Sequence, residues 1–380
     1  MGAGLSSADD AAEAAAEAAR SAADGLAGTD LAFLFLSSDH LDSAEDAAEA
    51  VRAAIAPAHL VGCVADGIVG REREIEQGPG IAVWAAALPG AEITPFHVAT
   101  EPTDEGVAVS GFPSELDGTA LVALLVDPYS FPIGGFLARL NEEYRDLPIV
   151  GGIANGGGAS GQAALIVDDQ VHDEGAVGVA VSGVSVATVV SQGCAPIGRD
   201  AVVTGADGNI VFELAGKPAL QWVRSQIVSL TPEEQALAAR GLLAGLVIDE
   251  NKSEYGRGDY LMRGLIGVDE EAESIAVGEQ VRVGQTLRLH VRDAKTAAED
   301  LREGLAGVLG RGAPAGALLF TCNGRGTHMF PAPDHDARLV EATLGTPALA
   351  GFFCGGEIGP VGGRAFLHGF TATLAVFLDE

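Results

Sequence analysis

Three segments near the start of the chain decide its fold: the apolar run Leu31-Ala-Phe-Leu-Phe-Leu36, the acidic, alanine-rich stretch Ser43 to Ile55, and the run His59-Leu-Val-Gly-Cys63. Short apolar runs are typical of buried strands, and the alanine-rich stretch between them favours a helix. Glycines then lead to a further apolar run, Ile81 to Leu88. This order predicts a parallel strand pair joined by a crossover helix, followed by an antiparallel neighbour.

The same order recurs along the chain. The second copy consists of Thr119 to Val126, a helix over Pro132 to Tyr144, Leu147-Pro-Ile-Val-Gly151-Gly152, and Ala176 to Val181. The third consists of Ala317 to Thr321, a helix near Asp336 to Leu344, Pro347-Ala-Leu-Ala-Gly351, and Gly369 to Leu378. A weaker fourth copy has little room for a helix and consists of Leu242 to Ile248, Leu261 to Ile266, and Thr286 to Val291.

These repeats predict a mixed fold between α/β and α+β. Repeated strand-helix-strand-strand units are expected to form two mixed β-sheets flanked by helices, with two units in each of two domains. The boundary is placed near Lys217-Pro218 and the helix start Thr231-Pro-Glu-Glu234, which mark a break. The predicted segments are a helical extension over residues 1–30 and two domains over residues 31–225 and 226–380.

Composition excludes several classes of function. The 380 residues include 22 Lys+Arg and 53 Asp+Glu, and a net charge of −31 repels phosphate backbones and anionic lipid headgroups. We therefore expect no nucleic-acid partner and no membrane partner. The four cysteines contain no C-x-x-C pair, and the N-terminus lacks the features of a secretory signal. These observations predict a cytoplasmic protein with neither metal nor cofactor.

Two segments have the composition of turns. Gly156-Gly-Gly158-Ala-Ser-Gly161 has the spacing of a dinucleotide-binding loop, but Gln162 to Asp169 predicts a strand where such a site needs a helix. A hairpin connection is therefore the preferred interpretation. Asp207-Gly208, flanked by alternating apolar and polar residues, also predicts a hairpin.

The loop Cys322-Asn-Gly-Arg-Gly326 carries the most chemistry, because it places a thiol, an amide and a guanidinium after an apolar run. Arg325 could bind a carboxylate with two hydrogen bonds. Alternatively, Cys322 could act as a nucleophile with His328 as its base and Glu357 to orient the base. A glycine turn with a structural Arg-to-acid ion pair remains the third interpretation.

A second glycine-rich segment, Gly355-Gly-Glu357-Ile-Gly-Pro-Val-Gly-Gly363, lets backbone approach a small molecule closely. Glu357 stands alone among apolar neighbours, so Arg325, Arg364 or a ligand amine is expected to compensate its charge. Asp334-His-Asp336 is interpreted as a solvated helix start. His368 lies in an apolar strand, where a histidine is most often part of the core.

Together these motifs resemble the FIST family. The segments that carry the likeness are Leu60-Val-Gly-Cys63, Ile149-Val-Gly-Gly152, Cys322-Asn-Gly-Arg-Gly326, Gly351-Phe-Phe-Cys-Gly-Gly-Glu-Ile-Gly359, and Phe366-Leu-His-Gly-Phe-Thr-Ala372. The resemblance implies a FIST N-like domain over residues 31–225 and a FIST C-like domain over residues 226–380. It also implies a sensory role in signal transduction through a small ligand, with amino acids as the usual suggestion.

No output domain is recognised in the sequence, so a separate signalling protein is the expected partner. The predicted ligand-binding residues are Cys322, Asn323, Gly324, Arg325, Gly356, Glu357, His368 and Asn155. Arg325 is expected to bind a ligand carboxylate, Asn323 to supply hydrogen bonds and Glu357 to receive an ammonium group. A pocket at the N-terminal loops around Cys63 and Asn155 is an equal alternative.

Two further hypotheses stay open at this point. One is a cysteine-dependent hydrolase or acyl-transfer enzyme that uses Cys322 or Cys354. The other is an interaction scaffold whose repeats present a surface to other proteins.

Overall fold

The computed structural model describes residues 1–104, 106–256, 258–346 and 348–379, so Pro347 of the third predicted copy lies outside the described residues. The helices are α1 (Ala11–Ala22), α2 (Ala44–Ile55), α3 (Ile133–Glu143), α4 (Ala219–Ser229), α5 (Pro232–Ala238), α6 (Ala294–Leu309) and α7 (His335–Leu344).

The strands from the N-terminus to the second copy are β1 (Gly2–Ser6), β2 (Leu31–Ser37), β3 (His59–Ala65), β4 (Ile68–Gly70), β5 (Arg73–Ile75), β6 (Ile81–Ala86), β7 (Glu92–Thr103), β8 (Gly106–Ser110), β9 (Thr119–Val126), β10 (Ile149–Ile153), β11 (Leu165–Val167), β12 (Gln170–His172) and β13 (Ala176–Ser182). The remaining strands are β14 (Ser185–Gln192), β15 (Cys194–Asp207), β16 (Ile210–Leu214), β17 (Lys217–Pro218), β18 (Leu242–Val247), β19 (Tyr260–Asp269), β20 (Ser274–Val277), β21 (Thr286–Arg292), β22 (Ala313–Cys322), β23 (Leu349–Cys354), β24 (Glu357–Val361), β25 (Arg364–His368) and β26 (Thr371–Asp379).

The chain divides into two compact units. The first contains residues 1–190, 301–367 and 371–380, and the second contains residues 191–300 and 368–370. The first unit therefore takes segments from both sides of the predicted boundary at residues 225 and 226. That boundary stays a prediction about the sequence, and each unit is described by itself.

Three parallel strand pairs build the first unit. In each pair a helix connects the two strands: β2-α2-β3, β9-α3-β10 and β22-α7-β23. The first strand of each pair also has an antiparallel neighbour, which is β6, β13 or β26 respectively. The mixed α/β character predicted from the sequence is confirmed.

The second strand of each parallel pair also pairs with a strand that follows one of the other two parallel pairs in the chain. β4, which follows β3, pairs with β23; β11, which follows β10, pairs with β3; and β24, which follows β23, pairs with β10. Each exchanged strand satisfies backbone groups that a sheet edge would leave unpaired. The exchange is cyclic, so it links the three parallel pairs in a closed ring.

The expectation of two sheets is wrong. The described residues form four sheets, of six, seven, six and seven strands. The exchange explains the difference, because each parallel pair is closed on both sides by antiparallel strands and cannot merge with the next pair. The fourth predicted copy (β18, β19 and β21) forms antiparallel pairs in the second unit, as expected of a segment with no connecting helix.

Further local predictions can be compared with the structure. β15 and β16 form a hairpin in which Asp207 faces Ile210, as Asp207-Gly208 predicts. α5 begins after Thr231 with a capping box to Glu234, which confirms the predicted helix start. The first thirty residues are more than a helical extension, because β1 precedes α1 and pairs antiparallel with β6. Among the described residues, no helix has the length and apolar character to cross a membrane.

The main core of the first unit is apolar and takes side chains from all three of its sheets. It includes Phe33, Phe35, Trp84, Phe320 and Phe352, all with no exposed surface. Helices cover the outer faces: α1 and α2 pack on the β2-β3 sheet, α3 on the β9-β10 sheet, and α7 on the β22-β23 sheet. The three parallel pairs are therefore held by one common apolar centre.

Each parallel pair contains a glycine at its point of closest approach. Gly62, Gly151 and Gly351 face leucines on the preceding strand, and an added Cβ would lie 2.2, 1.9 and 1.7 Å from the carbonyl oxygens of those leucines. A methyl group at any of these positions would overlap the carbonyl oxygen, and the overlap could be relieved only by a shift of one of the two strands. The glycines therefore set the separation of the paired strands.

We predict that Gly351→Ala lowers the free energy of unfolding by about 3 kcal/mol or more, because the new methyl group overlaps the Leu319 carbonyl group. The control is Gly134→Ala in α3, where no atom lies within 4 Å of the added Cβ. Alanine there should stabilise the helix by about 0.5–1 kcal/mol. Urea unfolding of both variants tests the prediction, and equal stability of the two variants would contradict it.

Candidate functional site

The carboxyl ends of the parallel strands meet at one place in the first unit. The backbone N–H of Asn323, just after β22, donates to the Cys354 carbonyl at 3.0 Å. The N–H of Gly355 donates to the carbonyl of Ile153 at 3.0 Å, and the N–H of Ile153 donates to that of Gly356 at 2.8 Å. Loops at the carboxyl ends of strands are a common position for ligand sites in α/β proteins. This junction is therefore the candidate functional site.

Asp66 organises the polar side chains at this junction. It follows β3, and its Oδ2 atom accepts hydrogen bonds from the side-chain amides of both Asn155 and Asn323, the latter at 3.1 Å. Each amide must turn its NH2 group toward the carboxylate, so each carbonyl oxygen points elsewhere. The Oδ1 atoms of Asn155 and Asn323 are buried, and neither has a hydrogen-bond partner among the described residues. The site therefore holds acceptors that lack donors.

A cavity of about 130 Å³ opens beside these groups, and we call it the acceptor cavity. Its lining consists of Asp66, Gly67, Glu76, Gln77, Asn323, His328 and Phe353. The Asp66 carboxylate is exposed at the cavity. Burial of part of the group raises the pKa of Asp66, while the hydrogen bonds from Asn155 and Asn323 oppose this rise.

Glu76 fixes the loop on the other side of the acceptor cavity. Its carboxylate accepts hydrogen bonds from the backbone N–H and the hydroxyl of Thr327, at 2.9 and 2.8 Å. Gly326 precedes Thr327 with a φ of 57°, and a Cβ there would lie 2.6 Å from the Glu76 carboxyl carbon. The loop can approach the carboxylate this closely because residue 326 is glycine.

Arg325 lies in a buried ion pair. Its Nε and Nη2 atoms donate to the two oxygens of Asp336 at 2.6 and 2.8 Å, and both side chains are almost fully buried. Burial alone would raise the pKa of Asp336, but the charge and hydrogen bonds of Arg325 and His335 hold it well below its usual range. The interpretation of Asp336 as part of a solvated helix start is therefore wrong, because α7 begins against the interior.

This arrangement bears on the role expected of Arg325. Two of its three nitrogens bond Asp336, and Arg325 is not among the residues that line the acceptor cavity. The structural alternative, an Arg-to-acid ion pair within the protein, describes these contacts. Its third nitrogen, Nη1, is buried without a hydrogen-bond partner in the part of the chain that the structure describes.

Glu357 is fully buried on β24. Its Oε2 atom accepts hydrogen bonds from the backbone N–H and the hydroxyl of Thr371 at 2.9 and 2.7 Å. Burial raises the pKa of Glu357 to about 7, and the hydrogen bonds from Thr371 and Cys322 and the charge of Arg325 oppose the rise. Uncharged donors therefore supply much of the hydrogen bonding that the Glu357 carboxyl group needs.

The predicted site residues fall into two groups. Seven of them belong to the first unit: Asn155, Cys322, Asn323, Gly324, Arg325, Gly356 and Glu357. His368, the last residue of β25, belongs to the second unit. Among the seven, Asn323 lines the acceptor cavity and Asn155 bonds the Asp66 that lines it, whereas Arg325 and Glu357 make the interior contacts described above.

Asp66 and Glu76 are not among the residues predicted from the sequence. A signal for Asp66 was present, because it lies four positions after Gly62 just as Asn155 lies four positions after Gly151. Alignment of the copies on these glycines would have placed both polar residues at the same strand end. Glu76 follows β5, the strand that pairs with the exchanged strand β4, and it lies in none of the motifs that the sequence predicts.

Buried acid also lies at the start of α7. The Oε1 atom of Glu74 accepts a hydrogen bond from the Ala337 N–H at 2.9 Å, and the Glu74 side chain is almost fully buried. Burial and the nearby charge of Asp336 raise the pKa of Glu74 to about 8. In the described part of the chain, no group of three or more His, Cys, Asp or Glu residues is arranged to hold a metal ion.

These features define a mixed α/β protein with a small polar cavity at the carboxyl ends of its parallel strands. Family models match it over most of its length: the FIST N domain over residues 30–217 and the FIST C domain over residues 219–360. The chain belongs to the FIST family, so the resemblance seen in the motifs is confirmed. FIST domains are associated with sensing in signal transduction.

The chain is also similar to full-length mycobacterial proteins. An uncharacterized protein of Mycobacterium tuberculosis is 45% identical over 383 residues, with 100% of both chains covered. An uncharacterized protein of Mycobacterium bovis is 44% identical over 384 residues, with 100% of this chain and 99% of the relative covered. The similarity therefore extends through both family domains.

We predict that Asp336→Asn lowers the free energy of unfolding by about 3–5 kcal/mol, because it leaves the Arg325 charge buried without its counter-charge. Glu143→Gln is the control, since it removes an acid from the exposed Arg139–Glu143 pair and should change stability little. Urea unfolding measures both effects. A small loss in Asp336→Asn would show that Arg325 is compensated by other groups.

A second prediction follows from the raised pKa of Glu74. The carboxyl group binds its proton more tightly in the folded than in the unfolded state, so its ionisation increasingly destabilises the fold as pH rises from about 5 to about 9. Glu74→Gln should therefore match the wild type near pH 5 and exceed its unfolding free energy by about 1 kcal/mol or more near pH 9. Unfolding measured at both pH values is decisive, with exposed Glu142→Gln as the control; an equal difference at both pH values would contradict the prediction.

Proposed function

We propose that the protein is a sensor that binds a small ligand through an ammonium group in the acceptor cavity. The observation that carries this proposal is the arrangement of Asp66 with the amides of Asn155 and Asn323. The lining of the cavity includes the exposed Asp66 and the Asn323 side chain. The amide oxygens of Asn323 and of the neighbouring Asn155 are buried and have no partner among the described residues. An ammonium group carries three donors and no acceptor, so it complements this set.

The size of the cavity limits the ligand. Drug-sized ligands occupy pockets of roughly 300–1,000 Å³, and the acceptor cavity measures about 130 Å³. A metabolite of a few heavy atoms fits such a volume, whereas a nucleotide does not. FIST domains are associated with sensing in signal transduction, which supports a ligand whose binding is a signal rather than a permanent part of the fold.

An amino acid is the form of this ligand that we favour. Its ammonium group would bind the Asp66 carboxylate beside the Asn323 side chain, which also lines the cavity. Its carboxylate would face His328, the basic side chain among the lining residues that the structure describes. This assignment differs from the roles expected for Arg325 and Glu357, because both are occupied in the interior.

The site uses corresponding positions of two strand-helix-strand segments, Asp66 after β3 and Asn155 after β10, together with Asn323 after β22. We take the three segments as copies of one repeated unit. A ligand bound at their junction would hold three loops together and so change the surface that they present. A separate signalling protein would then respond to this surface.

A thermal-shift experiment on the full chain tests the proposal. The probes are alanine, ethylamine and propionate, which carry the ammonium group and the carboxylate together or separately. At about 100 times its Kd a ligand adds about 2.7 kcal/mol of stability, so alanine and ethylamine should raise the Tm and propionate should not. If alanine is inactive, the remaining common amino acids are screened in the same way.

Asp66→Asn should abolish these shifts, because it removes the counter-charge while it keeps the shape of the side chain. Exposed Glu142→Gln changes the net charge equally and should leave the shifts intact. A response to propionate alone, or a response unchanged in Asp66→Asn, would overturn the ammonium site. The absence of a shift with every amino acid and amine would overturn the sensor proposal itself.

A further inference from the structure

The thiol of Cys322 lies in surroundings that the proposed ligand site does not use. Cys322 ends β22 and is 8% exposed. The backbone N–H of Gly324 donates to its sulfur at 3.4 Å. Burial raises the pKa of Glu357 and hydrogen bonding with Cys322 opposes this rise, so the thiol and this carboxyl group are neighbours. The sulfur thus accepts a hydrogen bond from the Gly324 N–H and lies near the Glu357 carboxyl group, which can accept a proton.

Two fully buried side chains are incompletely satisfied beside this thiol. Thr371 donates to the Oε2 atom of Glu357, and the Oε1 atom has no hydrogen-bond partner among the described residues. The Nη1 atom of Arg325 is also without a hydrogen-bond partner there, and the charge of Arg325 interacts with Cys322. A positive charge and a backbone N–H stabilise a thiolate, and a carboxylate can accept the thiol proton.

A second thiol lies next to the first. Cys322 and Cys354 face each other in the register of the parallel strands β22 and β23. Neighbouring strands lie about 4.8 Å apart, and disulfides span Cα separations of about 4.4–6.8 Å. Cys354 is fully buried, and burial raises the pKa of its thiol well above the usual value. Cys322 is therefore the thiol that reacts first.

We propose that Cys322 is a hydroperoxide-reactive thiol and that Cys354 is its resolving partner. Glu357 takes the thiol proton, and the Cys322 sulfur attacks the peroxide. The S–O bond forms as the O–O bond breaks, so the sulfur is oxidised to a sulfenic acid and the peroxide is reduced. The leaving oxygen takes the proton from Glu357 and departs as water or an alcohol.

The second step closes the disulfide. The Cys354 sulfur attacks the sulfenic sulfur, the S–S bond forms as the S–O bond breaks, and the hydroxide leaves as water with the Cys354 proton. The product would join the ends of β22 and β23 beside the loop that carries Asn323. The oxidation needs no ligand in the acceptor cavity, so it can be tested without one.

The full chain is treated with hydrogen peroxide at fixed neutral pH and analysed by intact mass and peptide mapping. We expect loss of the mass of two hydrogen atoms, reversal by a reductant, and a disulfide between Cys322 and Cys354. In Cys354→Ser, dimedone should label Cys322 as the trapped sulfenic acid. A disulfide to Cys63, which is also buried in the same core, would overturn the assigned partner.

The oxidation rates of the individual cysteines show whether the surroundings of Cys322 activate its thiol. Cys322 should react at least about tenfold faster than Cys194, the cysteine of the second unit, and Glu357→Gln should remove most of that advantage. Cys322→Ser should abolish the disulfide, and Cys194→Ser should leave it unchanged. Equally slow oxidation of all four cysteines, or no oxidation at all, would overturn the proposal. The serine variants are nearly isosteric with the wild type, so they test the proposal even if Glu357→Gln fails to fold.

Discussion

The cyclic exchange of strands is the constraint on which the first unit depends. A parallel pair leaves one edge of its second strand without partners, and the cost of unpaired backbone groups makes an open edge unfavourable in a core. Here each edge is closed by the strand that follows another pair: β4 on β23, β11 on β3, and β24 on β10. The loops between donor and acceptor strands must then cross the same junction. The candidate site lies there for this topological reason.

The same crossing accounts for the buried charges. Glu357 lies on the exchanged strand β24, and Glu74 lies on β5, which pairs with the exchanged strand β4. Both side chains are buried. Both carboxylates accept hydrogen bonds from other elements of the fold. Glu74 takes an N–H from the start of α7, and Glu357 takes two donors from Thr371. Arg325 and Asp336 compensate each other's buried charge nearby.

The sequence predicts the local elements of this fold well and its long-range organisation poorly. Runs such as Leu31–Leu36 and the helix start at Thr231 are decided by neighbours in sequence, and the structure contains the expected strand and helix there. The exchange of β4, β11 and β24 depends on pairings between distant segments, which no local pattern encodes. The expectation of two sheets fails for that reason.

The candidate site shows the same division. Asn323 was expected to bind a ligand from the chemistry of its loop, and it lines the acceptor cavity. Arg325 was expected to do so from equally good chemistry, but its partner Asp336 was interpreted as solvated. Burial depends on what packs against a helix start, and here β5 does so through Glu74. Residue type predicted what Arg325 can bind, whereas the fold decided which carboxylate it meets.

The loop from Cys322 to Arg325 joins the two proposed activities. Its successive side chains are committed to different neighbours: Cys322 to Glu357, Asn323 to Asp66 at the cavity, and Arg325 to Asp336 in the core. A ligand that tightened the hold on Asn323 would restrain the sulfur one residue away, and a disulfide at Cys322 would restrain Asn323 in turn. Coupling between binding equilibria is reciprocal. Since Arg325 is fixed by a buried ion pair, the short segment between it and β22 is where both changes must be accommodated.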